Sequence, residues 1–354
     1  MDAIVAAVGL GVLAIACVAF GVWFQGRDLR SWNALAPALG LQRRGRTRFK
    51  DLVGTRDEVP LMVKHLLLRR DGDERAVSRV ITAADQPMAP GLSLTLSPTR
   101  HVRVMGVKVT GRYGDDLSAR YTVSCKDDAL ADAMLLNPMV KPILDAMVER
   151  RETAAAVKAN TVQITRPWLQ AKEIPQDVEQ AVDLARTLGL AWKAPFVQLA
   201  NAKGLALEKT ADAWSVRGQT DGRDVRVLTS LVAGRMTVEV AVATPALPPR
   251  LRVTVRSGGG SSDGGIAQLP DLRVDGATQA EANLLLARPS VRSALVAVLG
   301  AHPRSELRDR RVLLRTGSWP PDGLGPLLAA ALRLATALEE EGDDPLLSPL
   351  DWDD

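Results

Sequence analysis

Residues Ala181–Leu188 read AVDLARTL, and residues Ala331–Leu338 read ALRLATAL. The octets share Ala, Leu, Ala and Leu in register, at spacings that fall on one face of a helix. The likeness extends outward in order. Thr165-x-x-Trp168 falls on Thr316-x-x-Trp319, and Val162 falls near Val312. LLNPMVKPILDAMV (Leu135–Val148) matches LLARPSVRSALVAVL (Leu285–Leu299), placing Pro138, Val140 and Leu144 on Pro289, Val291 and Leu295. PMAPGLSLTLS (Pro87–Ser97) matches ALPPRLRVTVRS (Ala246–Ser257), and the Gly54–Val63 strand matches Gly218–Leu228. Leu35-Ala36 and Leu39-Gly40-Leu41 are set on Leu184-Ala185 and Leu188-Gly189-Leu190. Chance self-alignment of an Ala- and Leu-rich chain would not keep Pro, Gly and Trp in order. The offset is about 150 residues and drifts, as variable surface loops make it do.

The pattern predicts an α+β fold: two tandem-duplicated units, each an antiparallel sheet plus helices. Strand-like alternation runs through Val59–Leu68, Ala76–Thr82, Leu92–Leu96, Val102–Val109 and Leu117–Ser124. In the second copy it runs through Trp214–Val216, Val225–Leu231, Thr237–Val242 and Leu251–Val255. Short strands are expected near Thr161–Thr165 and Val312–Arg315. A helix over Pro175–Leu188 has Pro in its first turn and Gly189 beyond its expected end. The units are drawn as 30–190 and 180–338, sharing the helix 177–190. Gly323–Leu338 is nearly all apolar but short for a membrane span, and its amphipathic counterpart marks it as a core helix.

Ahead of the repeats, Ala3–Phe24 carries no charge and no Pro. Its 22 residues reach roughly 33 Å as a helix, against a bilayer core of about 30 Å. Residues 1–26 therefore read as a single transmembrane anchor, with residues 3–24 as the contact to membrane lipid. The leader Met1-Asp2 has no basic side chain, and the apolar run continues past Cys17, which speaks against cleavage or lipidation there. Residues 27–56, a basic juxtamembrane segment and first helix, carry eight basic and two acidic side chains. The positive-inside rule then places the bulk of the chain in the cytoplasm. Arg43, Arg44, Arg46 and Arg48 are candidates for contact with anionic headgroups.

Residues 339–354 form an acidic tail expected to be disordered, with eight acids and no base. Leu346, Leu347, Leu350 and Trp352 are set into it, so two readings stay open: a docking motif for a protein partner or the basic stretch, and a solubilising tail. Trp168 and Trp319 stand as repeated binding or core positions.

Chemistry-bearing motifs are scarce. Two cysteines and three scattered histidines (His65, His101, His302) offer no spaced ligand set, so no metal is expected. No GxSxG elbow occurs, and the Gly-rich run Ser257–Gly265 lacks the Lys of a P-loop, so neither catalytic residues nor a cofactor are assigned. The pI of 9.2 comes partly from the membrane-flanking segment, and no nucleic-acid motif accompanies it, so no nucleic acid is expected. The leading expectation is a membrane-held, non-enzymatic interaction or scaffold module. An enzyme with a site in the groove between the repeats is the alternative, and an envelope-facing binding protein a third reading if the topology is inverted.

Overall fold

The computed structural model describes residues 27, 29–46, 49–70, 73–84, 86–90, 92–98, 121–125, 128–149, 153–158, 160–167, 172–210, 213–232, 235–245, 247–255, 272–276, 280, 285–302, 304–320 and 323–340. The anchor 3–24, the tail beyond 340, Arg48, His101, Trp168 and the Ser257–Gly265 run lie outside them. The chain forms two compact units. One comprises Met1–Asp85, Leu94–Ser124 and Lys141–Thr187; the other comprises Gln86–Ser93, Cys125–Val140 and Leu188–Asp354. The second unit therefore takes in two short segments from among the strands and helices of the first.

A helix over 29–38 (α1) opens the described chain. The first sheet is built from β1 (Gln42–Arg44), β2 (Asp51–Arg56), β3 (Val59–Arg70), β4 (Asp73–Ala83), β5 (Ser93–Pro98), β6 (Tyr121–Cys125), β7 (Ala154–Lys158) and β8 (Thr161–Pro167). Two helices, α2 (Asp128–Leu135) and α3 (Lys141–Glu149), fall between β6 and β7, and α4 (Ile174–Lys203) follows β8. The second sheet uses β9 (Ala206–Lys209), β10 (Trp214–Thr220), β11 (Arg223–Val232), β12 (Arg235–Ala243), β13 (Arg252–Val255), β14 (Leu272–Asp275), β15 (Glu306–Arg308) and β16 (Arg311–Thr316). Helix α5 (Pro289–Ala301) precedes β15, and α6 (Leu324–Glu340) follows β16.

The spatial order of the first sheet is β1-β2-β3-β4-β8-β7-β5-β6. That of the second, read from its other edge, is β9-β10-β11-β12-β16-β15-β13-β14. Adding eight to each label of the first gives the second, which fits an internal duplication. Smaller features repeat too. Gly40 and Gly204 take φ +67° and +64° at helix ends. The amides that follow them, Leu41 and Leu205, reach back to Ala36 and Ala200 at 2.8 and 2.9 Å, closing each helix in the same glycine-dependent way. A Cβ at Gly54 would meet the Leu41 side chain at 2.8 Å, and one at Gly218 would meet Leu205 at 3.0 Å. The amides of Ala84 and Thr244 each donate to a turn carbonyl, of Asn160 and Arg310, at 2.8 Å.

These contacts correct one alignment. Leu39-Gly40-Leu41 corresponds to Lys203-Gly204-Leu205, not to Leu188-Gly189-Leu190. The helix does not stop at Gly189 but runs on to Lys203, past Pro195. Glycine inside a helix costs only about 1 kcal/mol, and here a Cβ would strike Gln86 at 2.8 Å. The apolar spacing also continues through Trp192, Phe196, Leu199 and Ala200, all buried.

In the second unit, α6 packs on β12 and β16 and α5 packs on α6. Leu324, Leu328, Ala331, Leu334, Ala335 and Leu338 of α6 are buried, so Gly323–Leu338 belongs to a core helix. Among the described residues no helix is long and apolar enough to cross a membrane. In the first unit, Arg166 of β8 points with Val162 and Ile164 into the core. Its guanidinium forms a fork on Asp177 of α4, with both bonds at 2.8 Å, and reaches Glu173 at 2.8 Å. Arg166 and Asp177 are each about 1% exposed, and the fork fits the carboxylate plane.

Candidate functional site

Strands β10, β11, β12 and β16 send alternate side chains inward. Val216, Val225, Val227, Val238, Val240, Val242, Val312 and Leu314 are buried, leaving the intervening residues to the outer face. There Arg217 stands directly opposite Arg226, Arg226 opposite Ala241, Ala241 opposite Leu313, and Leu313 opposite Glu306. One step toward the strand ends, Ala243 stands opposite Arg311. The small side chains of Ala206, Ala241 and Ala243 leave a groove of about 490 Å³ rimmed by Arg217, Arg226 and Arg311.

Two arginines directly across an antiparallel pair repel each other and destabilise the sheet. Arg217 is partly compensated by Glu208 at 2.5 Å. Among the described residues, Arg226 and Arg311 form no ion pair. Asp224, the acid on the rim, accepts a hydrogen bond from Gln219 at 2.9 Å. The groove thus presents more cationic than anionic side chains.

The matching face of the first sheet is different. The β2–β3 turn pairs Arg56 with Val59, and the β10–β11 turn pairs Thr220 with Arg223. Counting three residues from each turn sets Val53 and Met62 at the places of Arg217 and Arg226. Ile81, Gln163 and Ala156 continue that row, in place of Ala241, Leu313 and Glu306. The two sheets share the inward pattern and differ on the outward one.

Beside the groove lies a network centred on Glu306, whose side chain is 4% exposed. Its carboxylate accepts from Arg315 at 2.7 Å and from Arg252 at 2.9 and 2.8 Å. Arg315 also donates to Glu239 at 2.6 Å, and its amide to the Ser305 hydroxyl at 2.8 Å. Burial alone would raise the Glu306 pKa; the hydrogen bonds and charges of Arg315 and Arg252 outweigh it and hold the carboxyl below its ordinary value. For Arg315, burial lowers the pKa, but Glu239 and Glu306 together raise it. His302, at the end of α5, is pushed below its ordinary value by burial.

The residues singled out from sequence fall in several places. Trp319 is buried, with its ring 4.7 Å from Trp192 and 6.2 Å from Phe196, which is the environment of a core anchor. Arg43 and Arg44 lie in edge strand β1, and Arg43 donates to Asn33 at 2.9 Å; Arg46 is exposed just beyond. His65 stacks on Phe49 at 4.1 Å. No group of His, Cys, Asp or Glu suited to a metal ion occurs among the described residues. Leu346, Leu347, Leu350 and Trp352 lie outside them. Sequence reasoning missed Arg217, Arg226 and Arg311. Arg217 and Arg226 face each other across one hairpin and Arg311 comes from far along the chain, and only strand register brings the three to one rim.

No family model matches the chain, and no curated protein matches it. Among solved structures, the crystal structure of the mycobacterial trehalose monomycolate transport factor A, TtfA, is similar over 46% of this chain and 94% of that one. The identity is 14% and the TM-score 0.30, a likeness too slight to assign a fold or an activity.

Proposed function

We propose that this chain is a membrane-held, non-enzymatic interaction protein whose second unit binds an acidic partner on its outer sheet face. Residues 3–24 supply the anchor. The excess of basic residues after it sets the bulk of the chain on the cytoplasmic side, with Arg43, Arg44, Arg46 and Arg48 near the headgroups. The observation that carries the reading is the cross-strand pair Arg217 and Arg226, of which only Arg217 has an acid, Glu208, with the unpaired Arg311 on the same rim. Guanidinium groups stay protonated, so they bind carboxylates and phosphates firmly but serve poorly as bases or nucleophiles. Affinity purification of the full chain from membranes tests the reading. The doubly reversed variant Arg226→Glu/Arg311→Glu should lose the acidic proteins that the wild type retains; equal recovery refutes it. Protease protection in intact cells tests the topology, where digestion of the bulk from outside would overturn it.

A further inference from the structure

The last helix ends near the sheet end where the groove opens, on the other face of the sheet. Glu339, in the final turn of α6, is gripped by Arg223 at 2.6 and 3.1 Å. Arg223 is the first residue of β11, directly after the tight turn at Asp221 and Gly222, and the next residue, Asp224, lies on the groove's rim. The described chain therefore stops close to the end of the sheet where the groove opens, on the opposite face.

Past α6 the chain reads EGDDPLLSPLDWDD (Glu341–Asp354), with six acids and no base. Fourteen residues span up to about 46 Å when extended. Rounding one sheet edge uses roughly 10 Å of that, the thickness of a packed layer. From β10 to β16 the groove crosses three strand intervals, or about 14 Å. The length suffices with residues to spare.

The chemistry fits as well. Arg226 and Arg311 have no acid of their own among the described residues, and the tail offers acids at both of its ends. Between them Leu346, Leu347, Leu350 and Trp352 would need an apolar floor with room above it, and Ala206, Ala241 and Ala243 provide one. We propose that the resting occupant of the arginine-rimmed groove is this chain's own tail, residues 341–354, so that an external partner must displace it. The proposal rests on the reading of the groove as a site for acidic segments.

Tethering makes a weak contact effective. A short linker holds its end at an effective concentration on the order of 1 mM. A tail that binds in trans with a Kd of about 100 µM is then engaged roughly nine-tenths of the time and weakens competing ligands about tenfold.

The test uses the full chain in detergent and a labelled synthetic peptide of residues 341–354. Two otherwise intact proteins are compared with the wild type: one lacking residues 341–354, and one in which Asp343, Asp344, Asp351 and Asp353 are each replaced by Asn. Both should bind the peptide about tenfold more tightly than the wild type. Adding Arg226→Glu and Arg311→Glu to the shortened chain should abolish that binding, with its melting temperature as the control for folding. Equal affinity for the wild-type and shortened chains, or binding indifferent to the arginine reversals, overturns the proposal. The two readings fail separately. If the peptide does not bind but the shortened chain still recovers acidic proteins through Arg226 and Arg311, the groove is a partner site and the tail is not its occupant.

Discussion

Replacing Glu306 by Gln is the sharpest test of how the outer face of the second sheet is held. The substitution keeps the shape and removes the charge that Arg315 and Arg252 share. Breaking a buried ion pair by altering one partner costs about 3–5 kcal/mol. Two features reduce that here: Arg315 keeps Glu239 at 2.6 Å, and the Arg252 side chain is 50% exposed and can rehydrate. The expected loss is therefore about 2–3 kcal/mol, at or just below the bottom of that range. At about 2–4 °C per kcal/mol for a unit of this size, the melting transition of the second unit falls by about 5–10 °C at neutral pH. The pH dependence comes from the direction of the Glu306 shift. Its folded-state pKa lies below the ordinary value of 4.5. The stabilisation it gives is therefore complete above that ordinary value, and is lost as pH falls through the depressed folded value. Calorimetric melts of both proteins should show a constant gap from pH 8 down to about 6 and a gap that closes below about 4.5. A gap under about 1 °C at neutral pH, or one that stays open on acidification, would refute the reasoning. Pairing the change with Arg315→Met in a double-mutant cycle isolates the coupling between the two side chains, expected at about 1–3 kcal/mol.

Three further predictions concern the repeated architecture. Trp319→Ala removes the ring packed on Trp192 and Phe196 and should cost about 3–5 kcal/mol in thermal melts; an unchanged melting temperature would refute its role as a core anchor. Asp177→Asn leaves Arg166 buried with half its fork unmatched and should cost about 3 kcal/mol in the first unit alone, read as a shift of one calorimetric transition and not the other. Gly54→Ala and Gly218→Ala each press a methyl on a leucine, Leu41 or Leu205. Both should destabilise, Gly218→Ala by more because its φ of +151° is also unfavourable for alanine; two neutral variants would show that the shared contact is loose.

Much of the fold was legible in the sequence because burial on one face imposes a period. Val225, Val227 and Thr229 alternate with Arg226 and Leu228 as a half-buried strand must, and the octets AVDLARTL and ALRLATAL keep the buried spacing of α4 and α6. The errors came where local signals compete with packing. Gly189 carries the usual mark of a helix end, but the apolar stripe running on through Trp192 and Phe196 holds the helix together beyond it. Short strands such as β1, β9 and β15 were missed because three or four residues are too few to show a period.

By itself the sequence determined the α+β class, the repeated order of helices and strands, and the uneven spread of charge, all of which depend on neighbours along the chain. Tertiary structure alone decided the candidate site. Arg226 and Arg311 are 85 positions apart in the chain, and they share one rim because β11, β12 and β16 lie side by side in a fixed register. Cross-strand pairing is set by the whole sheet closing over its core, so the sharing of one rim by two cations leaves no trace in either residue's local sequence.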